Sequence, residues 1–189
     1  DGRIPLYFLF FTLLGTAFSF IKDREKKLLF VTLLAFNPAM FSYTLEGRSD
    51  VFMFAFFFAG LILLSKKRYN LAGILLAFSF TVKQSVWPFL PLYIGYLYFV
   101  SKSTFLTVKR LILFIITILV IVLPFFIWNP KAFIDSTILY LTGNTLHSYP
   151  ISGYGFGALL KEFDFVKNAH AYYPFWIWQT LIGLPLMIW

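Results

Sequence analysis

A chain of 189 residues that is 60% hydrophobic and only 13% charged, with a mean hydropathy of +0.80, is too apolar for a water-soluble globular domain. It reads as a polytopic all-α membrane protein, and its formal charge of +8 is then a matter of topology and anionic headgroups; nucleic acid is excluded as a partner because no basic stripe lies on a polar face. The lack of cysteine removes disulfides, thiol catalysis and Cys-type metal sites together.

In chain order, the apolar runs that could cross a bilayer cover residues 4–21, 28–45, 51–64, 71–82, 86–100, 111–128 and 172–189, given about 20 residues per spanning helix. Seven spans is the economical count. The chain starts at Asp1 with no leader pattern and stops at Trp189 inside an apolar run, so it is expected to be an internal fragment of a longer protein, with residues 1–189 forming one transmembrane domain. Asn37-Pro38 falls in the second run, where proline frees a carbonyl that protein or water must satisfy; a simple kink is the plain alternative. The middle three runs are short and must tilt, borrow polar flanks or sit in thinned bilayer, which places Asp50 and Lys83 at or just inside a membrane face.

Basic residues cluster in alternate connections: Lys22, Arg24, Lys26 and Lys27; then Lys66, Lys67 and Arg68; then Lys102, Lys109 and Arg110. With seven spans these lie on one side, which the positive-inside rule makes cytoplasmic. The other side carries Asp1, Glu46, Asp50, Asp135, Glu162 and Asp164, the turns at 46–50 and 83–87, and one long connection, 129–171. Chemistry is therefore expected on the non-cytoplasmic face of an integral membrane protein of the plasma membrane or endoplasmic reticulum. Within the long connection, residues 132–141 place Phe133, Ile134, Ile138, Leu139 and Leu141 near helical spacing, as an amphipathic helix in the interface would. The surrounding aromatics argue for an ordered external cap.

The polar cluster between apolar spans is the candidate site. Glu46 and Asp50 are four residues apart, so they share a helix face or flank a tight turn at Gly47. At a membrane mouth such carboxylates can take a proton from a hydroxyl or hold a divalent cation with help from a substrate phosphate; a hydrated turn paired with Arg48 is the plain alternative. Lys83 and Gln84 end one apolar run directly before Trp87-Pro88 opens the next. Lys83 can snorkel to the interface, or it can fix a phosphate while Arg48 supplies the bidentate fork that a lysine lacks. His147 and His170 lack metal-ligand spacing, and the glycine-rich stretch 152–157 is followed by no Lys-Ser/Thr of a nucleotide-binding loop.

The order Asn37-Pro38, then 46–50, then Leu71-Ala72-Gly73, then Lys83-Gln84 and 88–91 resembles the polytopic GT-C glycosyltransferases, in particular mannosyltransferase-like branches that use polyprenyl-phosphate sugars. The resemblance covers about residues 28–100 and rests on individually loose elements in a fairly specific order. It implies an all-α bundle that transfers a sugar, with inversion, from a polyprenyl-phosphate donor to a hydroxyl of a glycan, lipid or protein acceptor. Carried over by position, Arg48, Lys83 and Gln84 would bind the donor phosphate. Asp50 and Glu46 are the catalytic carboxylates this chain offers, although the family's usual carboxylate lies in an external loop that would precede Asp1. His147, Tyr149 and Tyr154 would line the acceptor cleft. A lipid or solute transporter is the alternative, with polar residues lining a pathway, and a structural subunit the third.

Overall fold

The computed structural model describes residues 3–36, 49–142, 150–151 and 156–188, and every regular element among them is helical. The chain divides into two compact units, Asp1–Val122 and Leu123–Trp189. Asn37-Pro38, Glu46, Arg48, His147, Tyr149 and Tyr154 lie outside the described residues.

The first unit contains α1 (Arg3–Phe20), α2 (Arg24–Ala35), α3 (Asp50–Ser65), α4 (Tyr69–Val82), a 3-10 turn (Gln84–Phe89), α5 (Leu90–Ser101) and most of α6 (Thr104–Trp128). Each break has a local cause. Asp23 caps α2 by accepting hydrogen bonds from the backbone N–H groups of Glu25 at 2.9 Å and Lys26 at 3.0 Å, which explains an acidic residue amid the first basic connection. At the end of α3, Arg68 N–H donates to Leu63 O and Lys67 N–H to Leu64 O, both at 2.9 Å, with Lys67 left-handed at φ 58°. This paired closure ends the helix sharply and turns the chain back into α4.

The α3–α4 hairpin is the centre of the unit. Small residues let the two helices close: Gly60 faces the side chain of Leu76 and the backbone of Ala72, while Ala72, Leu76 and Ala77 are fully buried. Around this seam Met53, Phe80, Val86, Tyr93, Leu97 and Phe114 form one core drawn from α3, α4, the 3-10 turn, α5 and α6. Phe114 meets Phe80 edge-on at 5.2 Å and Tyr93 at 5.3 Å. A smaller cluster of Leu6, Phe10 and Val51 sets α1 beside the start of α3.

Three contacts gather the basic connections at one end of this unit. Lys27 lies over the Phe18 ring and Lys66 over the Phe20 ring, each at 4.4 Å, and the Arg110 guanidinium stacks on Tyr69 at 3.9 Å while bonding Ser101 Oγ at 2.5 Å. The sequence pattern thus becomes a geometric fact: connections 22–27, 66–68 and 102–110 share the end where α3 turns into α4.

In the second unit, Asn129 caps α7 (Pro130–Ile134) by accepting from Ala132 N–H at 3.0 Å, with Pro130 at the first helical position. A π-type turn (Asp135–Leu139) and α8 (Tyr140–Thr142) follow without interruption, so the stretch 132–141 is helical as expected. Ile134, Ile138 and Leu141 fall on one exposed stripe of it. Farther on, α9 (Phe156–Glu162) and α10 (Phe175–Ile188) are joined by an ordered segment: Ile151, Leu160 and Val166 are buried together, and Phe156 packs on Tyr173, Phe175 and Trp178.

One helix among the described residues, Thr104–Trp128, is long and apolar enough to cross a membrane; Ile4–Phe20, Asp50–Ser65 and Tyr69–Val82 are shorter apolar helices.

Candidate functional site

At the end of the α3–α4 hairpin away from the basic connections, Lys83 Nζ lies 2.5 Å from Asp50 Oδ1. Both residues come from positions where helix gives way to turn. Asp50 is in the first turn of α3, where its negative charge meets the positive end of the helix dipole. Lys83 ends α4 in an extended conformation, φ −154° and ψ 134°, with its N–H still bonded to Ser79 O at 3.3 Å. That single extended residue redirects the chain into the 3-10 turn.

The surroundings hold the pair in register. Ser79, fully buried one turn before Lys83, donates to Met53 O at 3.0 Å, one turn after Asp50. Trp87 Nε1 donates to Phe80 O at 3.0 Å and fastens the 3-10 turn to the last turn of α4, while Val86 is buried beneath it. The lysine therefore stands on a backbone fixed from both sides.

Burial is unequal. The Asp50 side chain is 13% exposed and Lys83 36%, so the carboxylate sits deeper and the ammonium reaches toward solvent. Asp50 Oδ2 is buried and accepts no hydrogen bond among the described residues. Among the described residues the carboxylate spends one oxygen on the lysine, and the ammonium one of its three donors on the aspartate. The arrangement leaves donor capacity facing outward and acceptor capacity facing inward.

The structure brings together two of the sequence-predicted residues, Asp50 and Lys83, and places Gln84 beside them, half-buried at the start of the 3-10 turn. The expected Lys83–Arg48 juxtaposition and the role of Glu46 fall outside the described residues, as do His147, Tyr149 and Tyr154. His170 donates its backbone N–H to Asn168 Oδ1 at 3.0 Å, in keeping with a loop residue. Ser79 is not marked by any motif in the sequence, and Trp87 is marked only as the opening of the next apolar run. The only trace of Ser79 is a hydroxyl inside an apolar run four residues before Lys83.

Among the described residues no three of His, Cys, Asp and Glu converge on one point. The described part of the site offers one carboxylate, Asp50, bridged by Lys83.

Comparison with protein-family models, curated proteins and solved structures finds no match to this chain.

Proposed function

We propose that the chain is the membrane-embedded part of a glycosyltransferase of the GT-C kind, a bundle of about seven spans that transfers a sugar from a polyprenyl-phosphate donor to a hydroxyl acceptor at its non-cytoplasmic face. The observation that carries this reading is the Asp50–Lys83 pair at the hairpin end opposite the three basic connections. If the basic end is cytoplasmic, as the positive-inside rule has it, the pair belongs to the outer face at headgroup depth. A polyprenyl tail dissolves in the bilayer and leaves its phosphate at that depth.

The chemistry follows from charge development. The bond between the anomeric carbon and the phosphate oxygen breaks with its electron pair going to phosphate, and the acceptor hydroxyl oxygen forms the new bond from the opposite side. The leaving phosphate gains charge along this path, so a fixed cation aimed at it binds the transition state more tightly than the ground state. Lys83 fills that role, with Asp50 orienting its ammonium, and Arg48 and Gln84 complete the phosphate contacts. The acceptor proton passes to a carboxylate, for which Glu46 and Asp50 are the candidates in this chain. His147, Tyr149 and Tyr154 belong to the acceptor side. Gathering of the polar pair at one end of the hairpin favours this reading over a transporter, whose polar groups would gather near the midplane.

The surface supports membrane embedding. Large apolar side chains stand exposed all along α6, including Val120 at 67% and Trp128 at 85%, far beyond what a water-facing helix carries. The exposed stripe of Ile134, Ile138 and Leu141 suits an interfacial segment.

The direct test is transfer of radiolabelled sugar from polyprenyl-phosphate donors in membranes holding the full-length protein, comparing wild type with Arg48→Ala, Asp50→Asn and Lys83→Ala. Transfer should collapse in all three while expression holds. Transfer indifferent to the three changes would remove these residues from the site. Orientation has its own check, made simple by the absence of native cysteine in this chain. Single cysteines replacing Lys67 or Lys102 should react with an impermeant maleimide only from the cytoplasmic side, and one replacing Ser85 only from the outside. Labelling of all three from one side would refute the topology.

A further inference from the structure

Beside the hairpin, α1, α2 and α3 enclose a groove of about 330 Å³ whose walls include Leu9, Leu13 and Phe20 of α1, Phe30 of α2, and Ala55 and Ala59 of α3. Its polar side chains among the described residues, Thr12 and Thr16, turn their hydroxyls onto their own helix, donating to Phe8 O at 2.7 Å and Thr12 O at 2.6 Å. With both O–H donors spent within the helix, the described walls are almost wholly apolar, and a space of this kind suits an apolar occupant.

Its length and its ends are informative. From Leu9 to Phe20 the groove follows α1 for about 16 Å at 1.5 Å per residue, roughly half of the ~30 Å hydrocarbon core and so about one leaflet. It ends at Phe20 and Ile21, where Lys66 rests on the Phe20 ring at 4.4 Å; Lys27 stands one turn before the groove-lining Phe30 on α2, with its ammonium over Phe18 at 4.4 Å. Ile62 lines the groove, and its carbonyl accepts from Lys66 N–H at 3.1 Å, so that lysine rises directly from the groove wall. An apolar channel one leaflet deep with Lys66 at its mouth and Lys27 at the same end has the chemistry of an anionic phospholipid: a tail inside and a phosphate at the basic end.

We infer that this groove holds the acyl chain of an anionic phospholipid from the leaflet at the basic end, with Lys27 and Lys66 binding its headgroup. The site lies at the opposite end of the hairpin from Asp50 and Lys83, so its occupant is distinct from the sugar donor. The inference rests on the membrane part of the reading above and is independent of sugar transfer.

The test uses full-length protein released from membranes in mild detergent and equilibrated with equal amounts of phosphatidylglycerol and phosphatidylcholine, with bound lipid counted by native mass spectrometry. Wild type should retain one phosphatidylglycerol with roughly tenfold preference, the size expected for cations near an anionic headgroup. Lys27→Gln combined with Lys66→Gln, at a half-buried and an exposed position, should abolish the preference and leave tail binding intact. Ala59→Phe, which fills the groove, should retain neither lipid. Equal retention of the two lipids by wild type, no retained lipid because protein fills the groove, or preference that survives the double lysine change would each overturn the inference. Recovery of the protein in the soluble fraction after alkaline extraction would overturn the membrane reading itself, whereas loss of transfer with lipid retention intact bears only on the outer site.

Discussion

Replacing Lys83 by methionine is expected to cost more stability than replacing Asp50 by asparagine, although both should abolish function. The reason is the unequal burial of the pair. Removing the ammonium leaves a carboxylate that is 13% exposed with no charge partner and with Oδ2 already unsatisfied among the described residues. Breaking a fully buried pair costs about 3–5 kcal/mol; with Lys83 still 36% exposed, and part of the interaction screened, roughly 2–3 kcal/mol is the figure expected here. In Asp50→Asn the freed ammonium can reach water through its flexible stem, and the amide oxygen can still accept from it, so roughly 1 kcal/mol is expected. Denaturant unfolding in detergent micelles reads the difference directly. Transfer should fall by about 10²–10³-fold in Lys83→Met, the range for losing one charged group aimed at a leaving oxygen. Lys83→Arg should recover part of it, since charge returns with altered geometry. An Asp50→Asn protein less stable than Lys83→Met would mean that the lysine is the group depending on its partner, and the assignment of Asp50 as the element that orients Lys83 would fall.

Much of the helical framework was legible because it depends on local signals. Runs of apolar residues broken by charged clusters mark α1, α3 and α4 within a few residues and the end of α6, whose start lies seven residues earlier than the apolar run because Lys109 and Arg110 are carried within the helix, and the short middle helices follow from Lys66 and Lys83 standing where they do. The shared end of the three basic connections was legible too, since alternate placement along the chain is enough to imply it. The pairing of Lys83 with Asp50 was not. From sequence, Lys83 stood equally well with Arg48 across a phosphate or alone in the interface, and Asp50 with Arg48 across a turn. Choosing among these needs the register of α3 on α4, a non-local quantity set by how closely Gly60 lets Leu76 approach and by the buried Ser79–Met53 hydrogen bond. Likewise, Trp87-Pro88 marked a break without showing that the indole would fasten the turn back to Phe80. The lipid groove depended on α1 and α3 lying side by side, with Leu6 and Phe10 against Val51, which no single run encodes.

That register makes Gly60 the position where the smallest substitution should have the largest structural effect. A Cβ built there would lie 2.7 Å from Leu76 Cγ and 2.8 Å from its Cδ2, and Leu76 is fully buried, so it has no solvent to retreat into. Alanine gains about 1 kcal/mol of helix propensity over glycine, but overpacking a closed core costs about 1–3 kcal/mol, so Gly60→Ala should be net destabilising by up to roughly 2 kcal/mol. Valine adds bulk without the same propensity gain, and Gly60→Val should lose roughly 3 kcal/mol or more. Gly95, within α5 with nothing within 4 Å of its added Cβ among the described residues, is the control: Gly95→Ala should be neutral or stabilising by up to about 1 kcal/mol. The clash has a named partner, so it can be relieved. Leu76→Ala alone should cost about 2–5 kcal/mol by opening a cavity, yet combined with Gly60→Val the two losses should fall short of their sum by about 1–2 kcal/mol. Unfolding curves of the five proteins in one detergent decide the matter, and strict additivity would show that the two side chains do not compete for the same space. Forcing α3 and α4 apart at Gly60 also lengthens the reach from Lys83 to Asp50, so Gly60→Val protein that still folds should lose transfer although no residue of the outer site has changed.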